Sequence, residues 1–259
     1  MPEHFVAVPH AAVLATPTFQ LVDRDLADLI GHQAMGVVHG EAGLGKSFAV
    51  DAALEGLPGY AHGQVSARMR VVKLVFPHAP TTLRVAQELA AALLEIPVAR
   101  SRSRFQLQEQ VLDELSGRPY LLVVDEAQRL TRHAMEVLRY FYDSPATQLV
   151  LLLVGGNGCW ETISREPMLA SRIYRRRRFR PLPGRRVPAL MRTYHPLYAE
   201  ADEQLLAEVD ATFAHGYWRN WAAFTATAYD LVSAVGRSTL DAELVANIYT
   251  SLGHDDPDP

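Results

Sequence analysis

Lysine is almost missing from this chain. Lys46 and Lys73 are the only two among 25 basic residues, and the other 23 are arginine. A GC-rich genome accounts for that bias without any function, so placement carries more information than number. Cysteine is scarcer still. Cys159 stands alone, which excludes an intramolecular disulfide and a multi-cysteine metal site and fits a reducing cytosol. Long apolar runs are absent too: Leu149–Val154 is the most apolar stretch, far short of the roughly 20 residues that span a bilayer. The start, MPEHFVAVPHAAVLATPTF, has no lysine or arginine ahead of its apolar part, so no secretory signal is expected. Net positive charge is also lacking, with 29 acidic residues giving −4 overall; a histone-like polycation is excluded. No zinc-finger, homeodomain or RNA-recognition motif occurs, so sequence-specific readout is not expected. No histidine pair has helical metal spacing with a third ligand nearby. A soluble cytoplasmic protein without a membrane partner is the expectation.

What is present is ordinary globular composition, 49% apolar and 21% charged, which argues against wholesale disorder. A length of 259 residues suits one large α/β domain, alone or with a small companion. Charge divides unevenly. Residues 1–186 carry 22 basic and 18 acidic groups, whereas 187–259 carry 3 and 11.

Local patterns predict an irregular leader to about residue 17, a helix over Leu21–Ile30, and a short apolar strand at Gly36–His39. A helix over Phe48–Leu57 stops at Pro58-Gly59, and Val71–Phe76 is a strand bounded by Pro77. Helices follow over Thr82–Leu94 and Phe105–Leu115, then the buried strand Tyr120–Val124. Helix His133–Tyr142, strand Gln148–Val154, helix Cys159–Arg165 and a strand around Arg176–Arg180 complete the alternation. Such alternation implies parallel strands joined by right-handed crossovers. After Pro181-Leu182-Pro183-Gly184 only helices are expected: Leu190–Leu206, Trp218–Val235 and Asp241–Leu252. The boundary falls near 183–187.

Two motifs carry chemistry. Gly40-Glu41-Ala42-Gly43-Leu44-Gly45-Lys46-Ser47 is a full phosphate-binding loop between a predicted strand and a predicted helix. Its glycines let backbone N–H groups curl around a phosphate, and the helix N-terminus adds partial positive charge. Lys46 is expected on the β- and γ-phosphates of ATP and the Ser47 hydroxyl on Mg2+. The second motif, Leu121-Leu122-Val123-Val124-Asp125-Glu126, ends a doubly buried strand in two carboxylates where parallel sheets place ligands. Asp125 is expected to hold Mg2+ through water, and Glu126 to act as the base on the attacking water. Small-molecule kinases usually lack that glutamate, so hydrolysis coupled to conformational change is favoured.

With these motifs and the spelling Asp125-Glu126-Ala127-Gln128, the chain resembles the AAA+ ATPases of transposition, the TniB/TnsC/MuB-like group, over about residues 18–252. The resemblance implies an α/β AAA+ P-loop core with a five-stranded parallel sheet in the order 5-1-4-3-2, flanked by helices, plus a small C-terminal helical lid. The implied domains are a leader (1–17), a nucleotide-binding domain (18–184) and a lid with an acidic tail (185–259). It extends the nucleotide contacts to Phe48. In that group a polar side chain just past the fourth strand senses the γ-phosphate. Here that place falls at Gly156, and the nearby amide is Asn157, equally readable as a turn residue. Leu169-Ala170-Ser171-Arg172 resembles the sequence that supplies an arginine finger in trans, which commits Arg172 to an oligomer. His215-Gly216-Tyr217-Trp218-Arg219-Asn220 resembles the lid motif that places an arginine, Arg219, on the phosphates; Arg237 competes for the same role.

Nine arginines lie between 165 and 186 against one acid, Glu166. They fit an edge strand protected by charge, a subunit contact with a neighbour's acidic lid, or DNA. The loops holding Thr81 and Arg84, and Arg100, Arg102 and Arg104, correspond to loops that touch the DNA backbone in the transposition ATPases. The implied function is an ATP-dependent regulator that forms a hexameric ring or helical filament on double-stranded DNA. It recruits or activates a transposase, with a target-selector protein as a further partner, and hydrolysis disassembles it. The alternatives are a helicase-loader or ExeA-like ATPase, or a nucleotide-gated signalling switch that does not bind DNA; a metabolic P-loop kinase is the remaining option.

Overall fold

The computed structural model describes residues 8–57, 60–61, 64–65, 69–95, 97, 103–235 and 239–253. The chain divides into two compact units. One comprises Pro17–Ala42 and Lys46–Phe179; the other comprises Met1–Thr16, Gly43–Gly45 and Arg180–Pro259.

The first unit is built on a twisted sheet. Its strands are β1 (Met35–His39), β2 (Tyr60–Ala61), β3 (Gln64–Val65), β4 (Met69–Val75), β5 (Tyr120–Asp125), β6 (Leu149–Gly155) and β7 (Ile173–Arg178). They lie in the order β2-β3-β4-β5-β6-β1-β7. All pairings from β4 to β7 are parallel, so the five strands expected from sequence take the order 5-1-4-3-2. The two-residue strands β2 and β3 extend the sheet as an antiparallel hairpin, too short to show a periodicity of their own. Flanking helices are α1 (Pro17–His32), α2 (Lys46–Glu55), α3 (Thr82–Leu94), α4 (Arg104–Gly117), α5 (Arg132–Asp143), α6 (Cys159–Ser164) and α7 (Pro167–Ala170). Strands β1, β5 and β6 are buried at every position, because helices cover both faces of a parallel sheet. Their apolar side chains meet Leu89, Leu93, Leu107, Met135 and Phe141 in one core.

Two expectations need correction. The last strand runs over Ile173–Arg178 rather than 176–180. Phe179 makes the last bond to β1, its N–H donating to the His39 carbonyl at 2.7 Å, and is buried, so the strand stops there. The single helix expected over 190–206 is broken into α8 (Val187–Tyr194), a 3-10 turn at Pro196–Tyr198, and α9 (Glu203–Val209). Proline 196 cannot donate into the preceding turn, and the Asp202 carboxylate caps a fresh helix by accepting from Gln204 and Leu205 N–H.

The second unit also contains α10 (Trp218–Val235) and α11 (Ala242–Ser251), with a π-turn at Asp210–Ala214. Its core holds Met191, Tyr198, Leu206, Trp221, Phe224 and Ile248. Asp210 is buried there with partners: its Oδ1 accepts from Gly216 N–H at 2.7 Å and Trp221 Nε1 at 2.9 Å. Trp221 is thereby part of this core. Among the described residues no helix is long and apolar enough to cross a membrane.

Candidate nucleotide site

The phosphate loop leaves β1 at Gly40 and enters α2 at Lys46. Gly40, Gly43 and Gly45 take φ values of 147°, 81° and 80°, a region that L side chains rarely adopt. Gly40 is doubly constrained, since a Cβ there would lie 2.6 Å from the Phe179 carbonyl oxygen. Lys46 is 8% exposed and its Nζ donates to the Glu41 carbonyl at 2.6 Å, across its own loop. Leu44 is buried; Glu41, Ala42 and Phe48 face solvent. Ser47 sits in the first turn of α2.

Asp125 ends β5 and is 3% exposed. Its Oδ1 accepts from the Glu126 N–H at 2.8 Å. Glu126 is left-handed, φ 56°, a conformation that costs a non-glycine residue about 1 kcal/mol. Its Oε2 accepts from Gln128 Nε2 at 2.6 Å and lies 3.4 Å from the Arg129 guanidinium. Cys159, at the start of α6, is buried. Burial pushes its thiol up to about 12, and the charges of Lys46, Asp125 and Glu126 are all felt there. Cys159 is therefore packed rather than reactive. Asp125 and the Ser47 hydroxyl are hard oxygen donors. Among the described residues no cluster of three or more His, Cys, Asp or Glu forms a metal cage. That donor set fits Mg2+, which is held by one or two carboxylates plus substrate phosphates.

Sequence reading missed Lys73. From β4 its Nζ bonds both oxygens of Asp51, at 2.7 and 2.8 Å, and lies 3.8 Å from Asp125 Oδ2. The one available signal was that it is the only lysine outside the phosphate loop. His39, the last residue before the loop, was also missed. Burial, then the Arg176 charge, holds its imidazole down at about 4. It is neutral and accepts from Arg176 Nε at 3.0 Å.

The remaining expected residues fall in several places. Asn157 is exposed in the turn after β6, but the left-handed residue of that turn is Gly158, φ 80°. Arg172 follows α7, with its Nε on Asp143 and a second nitrogen on the Met168 carbonyl. In the second unit the Arg219 N–H donates to the Gly43 carbonyl at 3.0 Å, while its side chain stays exposed. Arg237 lies outside the described residues. The Thr81 hydroxyl caps α3 by accepting from Arg84 N–H at 3.2 Å, and Arg84 pairs with Glu88. Arg104 stacks on Phe105 and donates to Thr82 at 3.3 Å, so the Thr81–Arg84 turn and the start of α4 adjoin. Arg100 and Arg102 lie outside the described residues.

The β7 arginines alternate. Arg175 and Arg177 bind Asp28 and Asp25 of α1, whereas Arg176 stacks on Trp160 with 3.9 Å from guanidinium carbon to ring centroid. β7 is an edge strand, and these contacts favour the sheet-edge explanation for Arg175–Arg177. Arg178, Arg180, Arg185 and Arg186 remain exposed.

The AAA domain family matches residues 28–163, more than half of the chain. No curated protein is similar enough in sequence to match. Among solved structures, Cdc6p from Pyrobaculum aerophilum has a TM-score of 0.71 at 16% identity, over 94% of this chain and 70% of that one. The Aeropyrum pernix ORC1 protein, solved in complex with DNA, has a TM-score of 0.67 at 18% identity, over 97% and 68%. The Aeropyrum pernix ORC2 protein, solved as ADPNP-ADP complexes, has a TM-score of 0.67 at 14% identity, over 96% and 71%. Identities this low establish a shared fold and nothing finer.

Proposed function

The chain belongs to the AAA domain family and is an ATPase, and from that premise we propose that it is a DNA-binding regulator of transposition. ATP binds through Gly40–Phe48, with Arg219 on the phosphates, and closes a subunit interface that Arg172 completes from a neighbour. Glu126 accepts a proton from the attacking water as that oxygen bonds the γ-phosphorus. The bond to the β,γ-bridging oxygen breaks, and ADP and phosphate leave. Lys46 and Arg172 offset the charge that develops. Mg2+ would be held by Ser47 and, through water, Asp125. The nucleotide-binding domain is taken as 18–184 and the lid as 185–259.

The observation that carries the ATPase part is that β1 and β5 run parallel on either side of β6, so the phosphate loop with buried Lys46 and the Asp125-Glu126 pair leave the same edge of one sheet. The assembly part rests on the charge division, with exposed arginines 178, 180, 185 and 186 against an acidic C-terminal segment. The transposition part rests on the spellings around Asp125 and Arg172. DNA contact is assigned to the backbone, through Thr81, Arg84, Arg100, Arg102 and Arg104, which positions the protein without reading bases. A transposase and a target selector are the expected partners.

A second reading, a helicase loader or initiator, is favoured by the structural likeness to Cdc6p and to ORC1 solved with DNA. The test is electron microscopy of Glu126→Gln with ATP, with and without duplex DNA of several lengths. Regulator function predicts filaments, or stacked rings, that lengthen with the duplex and form only with both ligands. Rings of fixed size on every duplex would favour the loader. Monomers under all conditions would remove both.

A further inference from the structure

The Glu126 carboxylate is not held by its own loop alone. Gln128 Nε2 donates to Glu126 Oε2 at 2.6 Å, while Gln128 Oε1 accepts from the Gly156 N–H at 2.7 Å. One amide side chain thus spans from the carboxylate to the backbone at the end of β6. The seat for that amide depends on missing side chains. A Cβ at Gly155 would lie 2.7 Å from Gln128 Oε1 and on the Cys159 sulfur, and a Cβ at Gly156 would lie 3.2 Å from Gln128 Nε2. Gly156 is also where the resemblance expects a polar side chain, while Asn157, one residue on, is exposed.

We propose that Gln128 is the positioning residue for Glu126, linking the carboxylate to the β6 terminus so that movement of the 155–157 turn moves the base. The inference rests on Glu126 acting as that base. Gln128 suits the task chemically because a primary amide accepts and donates at once. Its N–H fixes one carboxylate oxygen, leaving the other for water. Its carbonyl engages a backbone N–H that cannot drift independently of the strand. The Arg129 guanidinium, 3.4 Å from the same oxygen, supplies charge but no link to β6.

The test compares wild type with Glu126→Gln, Gln128→Leu and Gln128→Glu, measuring ATP turnover, KM and binding of a fluorescent ATP analogue. Gln128→Leu should lower kcat by about tenfold or more, with KM and analogue binding within about twofold, as expected when only the reacting geometry is disturbed. Gln128→Glu retains size and can copy both contacts only when protonated. When ionised it sets a second carboxylate against Glu126. Its kcat relative to wild type should therefore rise about fivefold or more as pH falls from 8 to 6. Unchanged kcat in Gln128→Leu, a loss confined to binding, or a flat pH ratio for Gln128→Glu overturns the proposal while leaving Glu126 as the base. Wild-type turnover in Glu126→Gln would instead remove the base assignment, and the proposal with it. Should Gln128→Leu fail to fold, the pH ratio of Gln128→Glu decides alone.

Discussion

Arg177 holds both oxygens of Asp25, Nε to Oδ2 at 2.8 Å and a terminal nitrogen to Oδ1 at 2.9 Å, joining the edge strand to the first helix. A planar guanidinium facing a carboxylate in this two-point geometry is strongly oriented, and the Asp25 side chain is only 9% exposed. An arginine run that reads as a polyanion-binding stripe is, at this position, a clasp inside one unit.

Removal of that clasp should cost stability rather than DNA affinity. Arg177→Ala removes both hydrogen bonds of a nearly buried carboxylate and leaves it only the more distant Arg175, 3.9 Å away, so it should destabilise by about 2 kcal/mol, less than breaking a fully buried pair. Arg178→Ala, at an exposed position, should stay within about 0.5 kcal/mol. Urea titrations of the two variants check this; equal losses would refute the clasp.

Arg172 is engaged within its own unit, on Asp143 and the Met168 carbonyl, so acting in trans requires it to let go. Arg172→Ala and Lys46→Ala should each abolish turnover, the first with ATP binding intact. Mixed one to one, they should recover activity at roughly a quarter of head-to-tail interfaces, where a sound finger meets a sound phosphate loop. No recovery at any mixing ratio would exclude action in trans.

His39 makes stability depend on pH. Its folded value is about 4, whereas an unfolded histidine titrates near 6.5. Between those values the unfolded chain holds the proton and the folded chain does not, so stability falls as pH falls through that window. Tm should drop more between pH 7 and pH 5 for wild type than for His39→Gln. Parallel Tm curves would count against it.

The loop glycines should not be equivalent. Gly40→Ala meets the Phe179 carbonyl oxygen at 2.6 Å as well as paying for a φ of 147°. Gly45→Ala, φ 80°, meets its nearest neighbour at 3.4 Å, an ordinary contact. Nucleotide affinity should therefore fall further in Gly40→Ala than in Gly45→Ala, by about tenfold if the added clash costs roughly 1.4 kcal/mol. Isothermal titration with ADP compares them directly; the reverse order would refute the ranking.

Much of the sheet unit was readable because its signals are local. The run Leu121–Val124 is apolar at every position, as a doubly covered strand requires, and the phosphate loop is contiguous in sequence with its own strand and helix. Boundaries failed where long-range packing competed with local pattern. Phe179 looked like strand but is buried where β7 stops, and Pro196 split a stretch whose apolar spacing read as one helix. Lys73 carried no motif at all. Its place beside Asp125 follows from the parallel register that sets Val75 against Asp125, which no local window encodes.

By itself the sequence determined the pattern of the candidate nucleotide site, since the loop glycines, Lys46, Ser47 and the Asp125-Glu126 pair are short-range features legible from their spacing. Only the tertiary structure decided which side chain each charged or polar group faces. Arg177 finds Asp25 across 152 residues of chain, and Gln128 finds Gly156 across 28. A strand's period says which face a residue takes. What stands opposite is set by strand order and crossover packing, and those are settled only when the whole core closes.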